Sequence, residues 1–429
     1  MLQTSEEVIQ WVNDQLKEGV KPGLERMNWF MEKLDHPERR LRTVHIGGTN
    51  GKGSTAAFLR SIVQTAEYVV GTFTSPSVES FRERIAVNGK PIPEEDFVKT
   101  ANVIKPLADE LSKTDLGAPT EFEILTAMAV YYFVKIHPVD LAVFEVGMGG
   151  KDDATNIIHP FVTVITNIGT DHTGYLGSTR EEIAGAKAGL IKNGVPVVTA
   201  VTEKEIFPVI EETAKLKRSG VYRLNREFSY QDLGPENGME QLIVKTPFLA
   251  YEGLSLRMAG RHQLENATLA VMTAEYLRQF YAYLIEEEHV KKGLQAVSLP
   301  GRFEVVRENP LVILDGAHNK EGMENLVNTL SRHYPGEKFS VLFAALKDKP
   351  LKDMVKALET LGTPLYFTGF DHSRAATAED LYNLSGATDK EIVKDWAGFL
   401  RESEKNNENI LICGSIYFIK EIKEKLFRN

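Results

Sequence analysis

A ten-residue run, HIGGTNGKGS (residues 45–54), constrains this chain more than any other feature. It follows a short strand-like stretch, RTVHI (residues 42–46). It precedes a segment whose Phe58, Leu59, Ile62 and Val63 fall on one side at helical spacing. Strand, glycine-rich loop and helix in that order predict a phosphate-binding turn. Glycines let the backbone bend tightly and aim several N–H groups at one anion, and the helix adds the positive end of its dipole. Lys52 is placed to neutralise β- and γ-phosphate charge, and the Ser54 hydroxyl lies where Mg²⁺ would take a ligand. The nucleotide-binding residues expected here are Thr49, Asn50, Gly51, Lys52, Gly53 and Ser54. The spacing is not that of the common Walker A loop: Ile46 holds the first glycine position, and Gly53 separates Lys52 from Ser54. The bland alternative is a glycine-rich structural turn.

Elsewhere apolar runs alternate with helix-patterned segments. Residues 68–73, 141–146, 162–166 and 195–200 read as strands, and residues 120–137 and 179–191 as helices. The alternation predicts a parallel sheet covered on both faces. Residues 221–258 carry short β-like pieces and turn signals, and predict a small antiparallel patch at the sheet edge before a helix at 260–280. A boundary is expected near Leu299-Pro300-Gly301, after which strand patterns restart at 311–315, 339–346, 365–370 and 410–414. The expected fold is α/β: a parallel-sheet ATPase domain with a phosphate loop (1–298), then a smaller Rossmann-like α/β domain (299–429).

With 429 residues, 42% hydrophobic and 26% charged, the composition fits a soluble globular protein of two or three domains. A net charge of -10 argues against a nucleic-acid-binding surface. The single cysteine, Cys413, cannot form an intramolecular disulfide and fits a reducing compartment. The start, MLQTSEEVIQ, lacks the basic and apolar regions of a signal peptide. No apolar run approaches the roughly 18 residues of a membrane span. The expectation is a cytoplasmic enzyme with neither nucleic acid nor membrane as partner.

GTNGKGS resembles the ATP loop of the Mur-type amide ligases. With Gly-Ser after the lysine it is similar to the folylpolyglutamate synthase family, which in bacteria often includes dihydrofolate synthase activity. Matching segments follow in family order: GLER (23–26), TSP (74–76), ESFRERIAVNG (79–89), TEFE (120–123), EVGMGG (145–150), DATN (153–156), DHTGYLG (171–177), KAG (187–189), PGRFE (300–304) and DGAHN (315–319). The resemblance implies a monomeric ligase that uses ATP and two Mg²⁺ ions to join L-glutamate to a folate, tetrahydrofolate or dihydropteroate. An acyl phosphate would be the intermediate. The competing readings are another Mur-type ligase acting on a different carboxylic acid, and a P-loop ATPase without ligase activity.

Glu145 ends an apolar strand beside Gly147, Gly149 and Gly150. A carboxylate at a strand's C-terminal end, facing a phosphate loop, suits Mg²⁺; the alternative is a solvated edge glutamate. By resemblance Glu145 is a metal ligand, joined by His172, Ser75 and the Ser54 hydroxyl. His172 read alone is a polar loop residue. Lys187 read alone is a surface or snorkelling lysine, but it matches a lysine that the family carbamylates to N6-carboxylysine, an anion that holds a second Mg²⁺. By resemblance Asn266, Arg302 and Asp315 contact ATP, and His318 lies near the reacting carboxylate or the incoming amine. Alone, Arg302 reads as a linker salt bridge and His318 as an ordinary residue at a helix start. Lys52, Lys187 and His318 are thus the expected catalytic residues. Thr120, Glu121, Phe122, Glu123, Asp152, Asp153 and Ala154 match segments that hold the pterin. Arg82 and Arg84 lie in a matching loop, where they steer an anionic substrate or are simply solvated. The chain departs from the family pattern at Ser77, at Lys151-Asp152-Asp153 and at Gly174.

Overall fold

A computed structural model describes residues 1–426, which divide into two compact units. The first holds Met1–Asp232, Leu242–Ser255 and Leu264–Val297. The second holds Leu233–Gln241, Leu256–Gln263 and the chain from Ser298 onward, so it draws on two short stretches that precede the Leu299 region.

The first unit is built on eight strands: β1 (Thr43–Gly47), β2 (Val70–Phe73), β3 (Ile85–Val87), β4 (Lys90–Pro91), β5 (Leu141–Glu145), β6 (Val162–Ile165), β7 (Val197–Thr199) and β8 (Val221–Arg223). They lie in the order β4-β3-β2-β5-β1-β6-β7-β8. All neighbours from β2 to β8 are parallel, and β3 and β4 extend one edge antiparallel. Every residue of β1, β5 and β6 is buried, as expected of central parallel strands covered on both faces. Phe144 of β5 touches the rings of Phe73 and Phe133 at centroid distances of 5.8 and 6.1 Å. Its burial contributes roughly 1.5–3 kcal/mol.

Because β1 lies between β5 and β6, the chain leaves the C-terminal ends of three adjacent strands as residues 48–51, 146–150 and 166–169. Connections run to opposite sides of β1, the arrangement that opens a crevice for ligands at the carboxyl ends of an α/β sheet. Three helices border these segments. Lys52–Thr65 follows the glycine loop, Glu121–Tyr131 starts at a Thr120/Glu123 capping box, and Arg180–Ala188 starts at a Thr179/Glu182 capping box.

The stretch after β8 does not lengthen the large sheet. Its strands β9 (Ser229–Glu236), β10 (Met239–Lys245) and β11 (Ala250–Leu256) form a three-stranded sheet of their own, in the order β11-β10-β9. The helix Arg261–Tyr281 follows.

The second unit carries β12 (Glu304–Glu308), β13 (Leu311–Asp315), β14 (Ser340–Phe343), β15 (Leu365–Phe367), β16 (Lys390–Ile392) and β17 (Ile410–Cys413). Their order is β12-β13-β17-β14-β15-β16, parallel except for β12 against β13. The edge strands β12 and β16 escape the sequence reading because their residues, EVVRE and KEI, are charged and short, as edges tend to be. No helix among the described residues is long and apolar enough to cross a membrane.

Candidate active site

β1 delivers the chain into the loop at Gly48, whose φ is +142°. A Cβ there would stand 1.8 Å from Thr166 Oγ1, so only glycine fits. Gly51, at φ +83°, caps the helix Lys52–Thr65, and a Cβ on it would meet Asn266 Oδ1 at 2.2 Å. Asn266, expected to contact ATP, therefore lies against the loop where the helix begins. Ser54 is buried in the first turn of that helix.

Two amides of the loop are turned away from the helix start. The Thr49 N–H donates to the Asn167 carbonyl at 3.0 Å, and the Asn50 N–H donates to Asn167 Oδ1 at 2.9 Å. The Thr166 hydroxyl donates to the Asn50 carbonyl at 2.6 Å. Neither Thr166 nor Asn167 stood out in the sequence. Their contacts cross more than a hundred residues, and only the short distance between the ends of β1 and β6 creates them.

Lys52 Nζ donates to the carbonyls of Gly48 and Thr49 at 3.2 and 3.1 Å. Lys187 Nζ donates to the same Gly48 carbonyl at 2.8 Å. Lys187 is only 4% exposed, which corrects the surface-lysine reading: the helix Arg180–Ala188 points it at the loop. Burial, and then the charge of Lys52, pull its pKa down to about 7.

Glu145 is 5% exposed at the end of β5, which removes the solvated-edge alternative. Its Oε2 accepts the Ser75 N–H at 3.1 Å. A Cβ on Gly53 would lie 3.5 Å from that same oxygen, so the carboxylate faces the first turn of the loop helix. Among the described residues no three His, Cys, Asp or Glu side chains gather in a metal-binding group. Mg²⁺ does not require one: it takes one or two carboxylates plus phosphate oxygens and waters. One buried carboxylate beside a Ser hydroxyl and a phosphate loop fits that ion. His172 stands exposed on the segment after β6, with Nε2 3.8 Å from Asp171 Oδ2.

The segments assigned to the pterin are tied into the fold. The Thr120 hydroxyl and the Glu123 carboxylate form the capping box, and Glu123 also accepts from Arg26 Nε at 2.9 Å in a buried pair. Glu121 pairs with Arg84, which is buried, so the solvated reading of that arginine does not hold. Arg82 Nη1 donates to the Ile92 carbonyl at 2.7 Å. Phe122 packs on Phe73 and against Gly147. Asp152 is exposed, and Asp153 and Ala154 are buried. The Asp153 carboxylate accepts the N–H groups of Met148 and Thr155 at 2.9 and 3.0 Å, and the Thr155 hydroxyl. It thereby fixes the chain leaving β5. The Thr155 hydroxyl proton goes to Asp153, so its oxygen accepts from His45 Nε2, 2.8 Å away on β1. Burial, with Lys192 nearby, holds His45 neutral with a pKa of about 3.

The second unit gathers its own polar group at the end of β13. Asp315 accepts the N–H groups of Phe303 and Ala317 at 2.8 and 2.7 Å. Burial raises its pKa, and the Arg302 guanidinium opposes that rise. The Gly316 carbonyl can only accept, so His318, 2.9 Å away, carries a proton on Nδ1. His262, near Arg302, is pulled down to about 4, by burial first and then by the arginine. Glu240 is fully buried and accepts from Arg332 at 2.7 Å, His333 at 2.8 Å and the Gly260 N–H at 2.8 Å. None of Glu240, Arg332, His333 and His262 was singled out from sequence, because nothing in their local spacing marks them.

Two family models match the chain: the Mur ligase middle domain over residues 46–274, and the Mur ligase glutamate ligase domain over residues 301–416. The dihydrofolate synthase/folylpolyglutamate synthase of Bacillus subtilis is 45% identical, covering 97% of each chain. The folylpolyglutamate synthase of Lacticaseibacillus casei is 30% identical over 94% of each. Among solved structures, Mycobacterium tuberculosis folylpolyglutamate synthase complexed with ADP and AMPPCP superposes with a TM-score of 0.91 at 30% identity, covering 98% of this chain and 99% of that one. An FPGS–AMPPCP–folate complex superposes with a TM-score of 0.84 at 27% identity, covering 99% of this chain and 100% of that one. With the phosphate loop, its paired lysines and the buried Glu145 in place, these likenesses put the chain in the folylpolyglutamate synthase/dihydrofolate synthase family of Mur-type ligases.

Proposed function

We propose that this chain adds L-glutamate both to a reduced folate and to dihydropteroate, through an acyl phosphate. As an ATP-dependent ligase of this family, it forms a C–N bond between glutamate and a folate. The observation that carries the reading of its site is the convergence of Lys52 and Lys187 on one loop carbonyl, with the buried Glu145 facing the same helix start. The wider substrate range is supported by the 45%-identical Bacillus protein, whose name carries both activities.

A carboxylate does not react with an amine at a useful rate in water. In the proposed course an oxygen of the pteroyl substrate's carboxylate attacks the γ-phosphorus of ATP. The P–O bond to the β-phosphate breaks, and ADP leaves. The α-amine of glutamate then attacks the acyl carbon, the C–O bond to phosphate breaks, the nitrogen loses a proton, and phosphate departs. Lys52 exchanges its carbonyl partners for phosphate oxygens, and the amides at the start of the loop helix stabilise charge spread over the transferring group. Asn266, Arg302 and Asp315 contribute to nucleotide binding, and His318 lies near the carboxylate or the amine. Ser54, Ser75, Glu145 and His172 would hold Mg²⁺, which when bound would neutralise charge on the phosphates. A pKa near 7 keeps much of Lys187 as the neutral amine at pH 7. That is the form whose nitrogen adds CO₂ with loss of one proton, giving a carboxylate suited to a second Mg²⁺.

ADP release with MgATP tests this, comparing tetrahydrofolate and dihydropteroate, each with and without L-glutamate. Release that needs both a pteroyl compound and glutamate is expected, with either pteroyl compound. Activity confined to tetrahydrofolate would remove dihydropteroate from the reading, and release indifferent to both substrates would overturn it. A ¹³C-bicarbonate NMR signal from a carbamate, lost in Lys187→Met, is the separate test of the lysine.

A further inference from the structure

A glycine-rich phosphate loop turns successive backbone amides towards the anion. Here the amides of Thr49 and Asn50 are committed elsewhere, to the carbonyl and the side-chain oxygen of Asn167. The Asn50 carbonyl is also taken, by the Thr166 hydroxyl. The segment that provides these partners is itself held on every side. The Thr166 N–H donates to the Gly47 carbonyl at 2.9 Å, and the Gly169 N–H donates to Thr49 Oγ1 at 2.8 Å. The Ile168 carbonyl accepts from Arg180 Nη2 at 2.6 Å and Nε at 3.2 Å. Arg180 opens the helix that carries Lys187. Residues 166–169 are therefore a strut between the glycine loop and that helix.

We propose that Asn167, aided by Thr166, is a positioning residue for the nucleotide. It pulls residues 49 and 50 outward, so that the amides presented to the triphosphate begin at Gly51, on the axis of the loop helix. The role asks for a neutral acceptor. A carboxylate at residue 167 would accept the same N–H but set a negative charge under the phosphates. The inference rests on the nucleotide reading of the loop and adds to it a residue outside the glycine run.

The test uses the full-length enzyme and four variants: Asn167→Ala, Asn167→Asp, Thr166→Val and Thr166→Ser. KM is measured for MgATP, folate and glutamate, and ATP binding by calorimetry. Asn167→Ala and Thr166→Val should each raise the KM for MgATP about tenfold, the worth of one hydrogen bond at a charged ligand, with the other two KM values unchanged. Asn167→Asp should raise it further although it keeps the acceptor. Thr166→Ser, which keeps the hydroxyl, should stay within about twofold of the parent. If Asn167→Ala folds poorly, the Asp and Ser variants decide. A parent that binds ATP alongside Asn167 variants that bind it equally well would overturn the positioning role alone. A parallel rise in all three KM values would do the same. A parent that binds no ATP would remove the nucleotide reading and this inference together.

Discussion

The loops that leave β1 and β13 both extend from the C-terminal end of a parallel strand, and they are held in opposite ways. The β13 loop is held by residues close to it in sequence. Asp315 accepts two amides from residues no more than twelve positions away, and His318 closes onto Gly316 two residues back. The β1 loop is held from outside, by Thr166 and Asn167 at the end of β6, and by a lysine that reaches in from another helix. A loop held by its sequence neighbours keeps its shape through local contacts. A loop held from distant strands and helices depends on the packing of the whole sheet for the shape it offers a ligand. That difference predicts that damage at β13 costs stability together with nucleotide binding, whereas damage around β1 appears in catalysis with little loss of stability.

The largest effect should come from Glu145→Ala. Removing a group that faces developing phosphate charge should lower kcat by about 10²–10³-fold, with a melting temperature close to the parent's. An early melt would place Glu145 in the same structural class as Asp315 and erase the contrast. Next, Asp315→Ala should cost about 2–3 kcal/mol in urea unfolding, because the Phe303 and Ala317 amides lose their shared acceptor; an unchanged midpoint would deny that the loop is held by its sequence neighbours.

The pH dependence sharpens the comparison further, since burial acts on both strands with opposite sign. His45 of β1 has its folded pKa depressed from 6.5 to about 3. The unfolded chain therefore takes up that proton first, and stability falls as pH drops from 6.5 towards 3, by about 1 kcal/mol at pH 5.5. Asp315 has its pKa raised above 3.8, so the folded chain takes up its proton first, and that contribution grows as pH falls through the folded value. Melting curves between pH 7.5 and 5.5 should show the combined loss from His45, His262 and Lys187, and His45→Gln should remove part of it. The smallest effect on stability should be His318→Gln, which removes the Nδ1–H donation to the Gly316 carbonyl and should change unfolding free energy by less than about 1 kcal/mol. A larger loss would mean that the β13 loop depends on that imidazole rather than on Asp315.

The central strands could be read from sequence because runs such as LAVFE and VTVI allow little but a buried parallel strand. The glycine loop could be read because strand, glycines, lysine and helix follow one another without interruption. The partners of that loop could not. Asn167 and Asn50 are 117 positions apart, and Lys187 and Gly48 are 139 apart. Lys187 illustrates the limit: its helix pattern alone gave a surface lysine, and only the packing of Arg180–Ala188 against the loop buries it. TEFE shows the reverse case. Thr120 and Glu123 carry the spacing of a capping box, a local role that is legible without any resemblance and that the structure bears out. Asp153 is similar, since its carboxylate organises the turn after β5. The pairing of Glu121 with Arg84 joins two candidates that sequence could place near one another only by analogy.

One carbonyl oxygen, that of Gly48, receives both Lys52 and Lys187. When both amines are charged they repel across a shared berth, so neither is anchored as firmly as it would be alone. An arriving anion that draws Lys52 away removes the repulsion and lets Lys187 settle more tightly. The position of Lys52 is therefore felt at Lys187 through one shared acceptor.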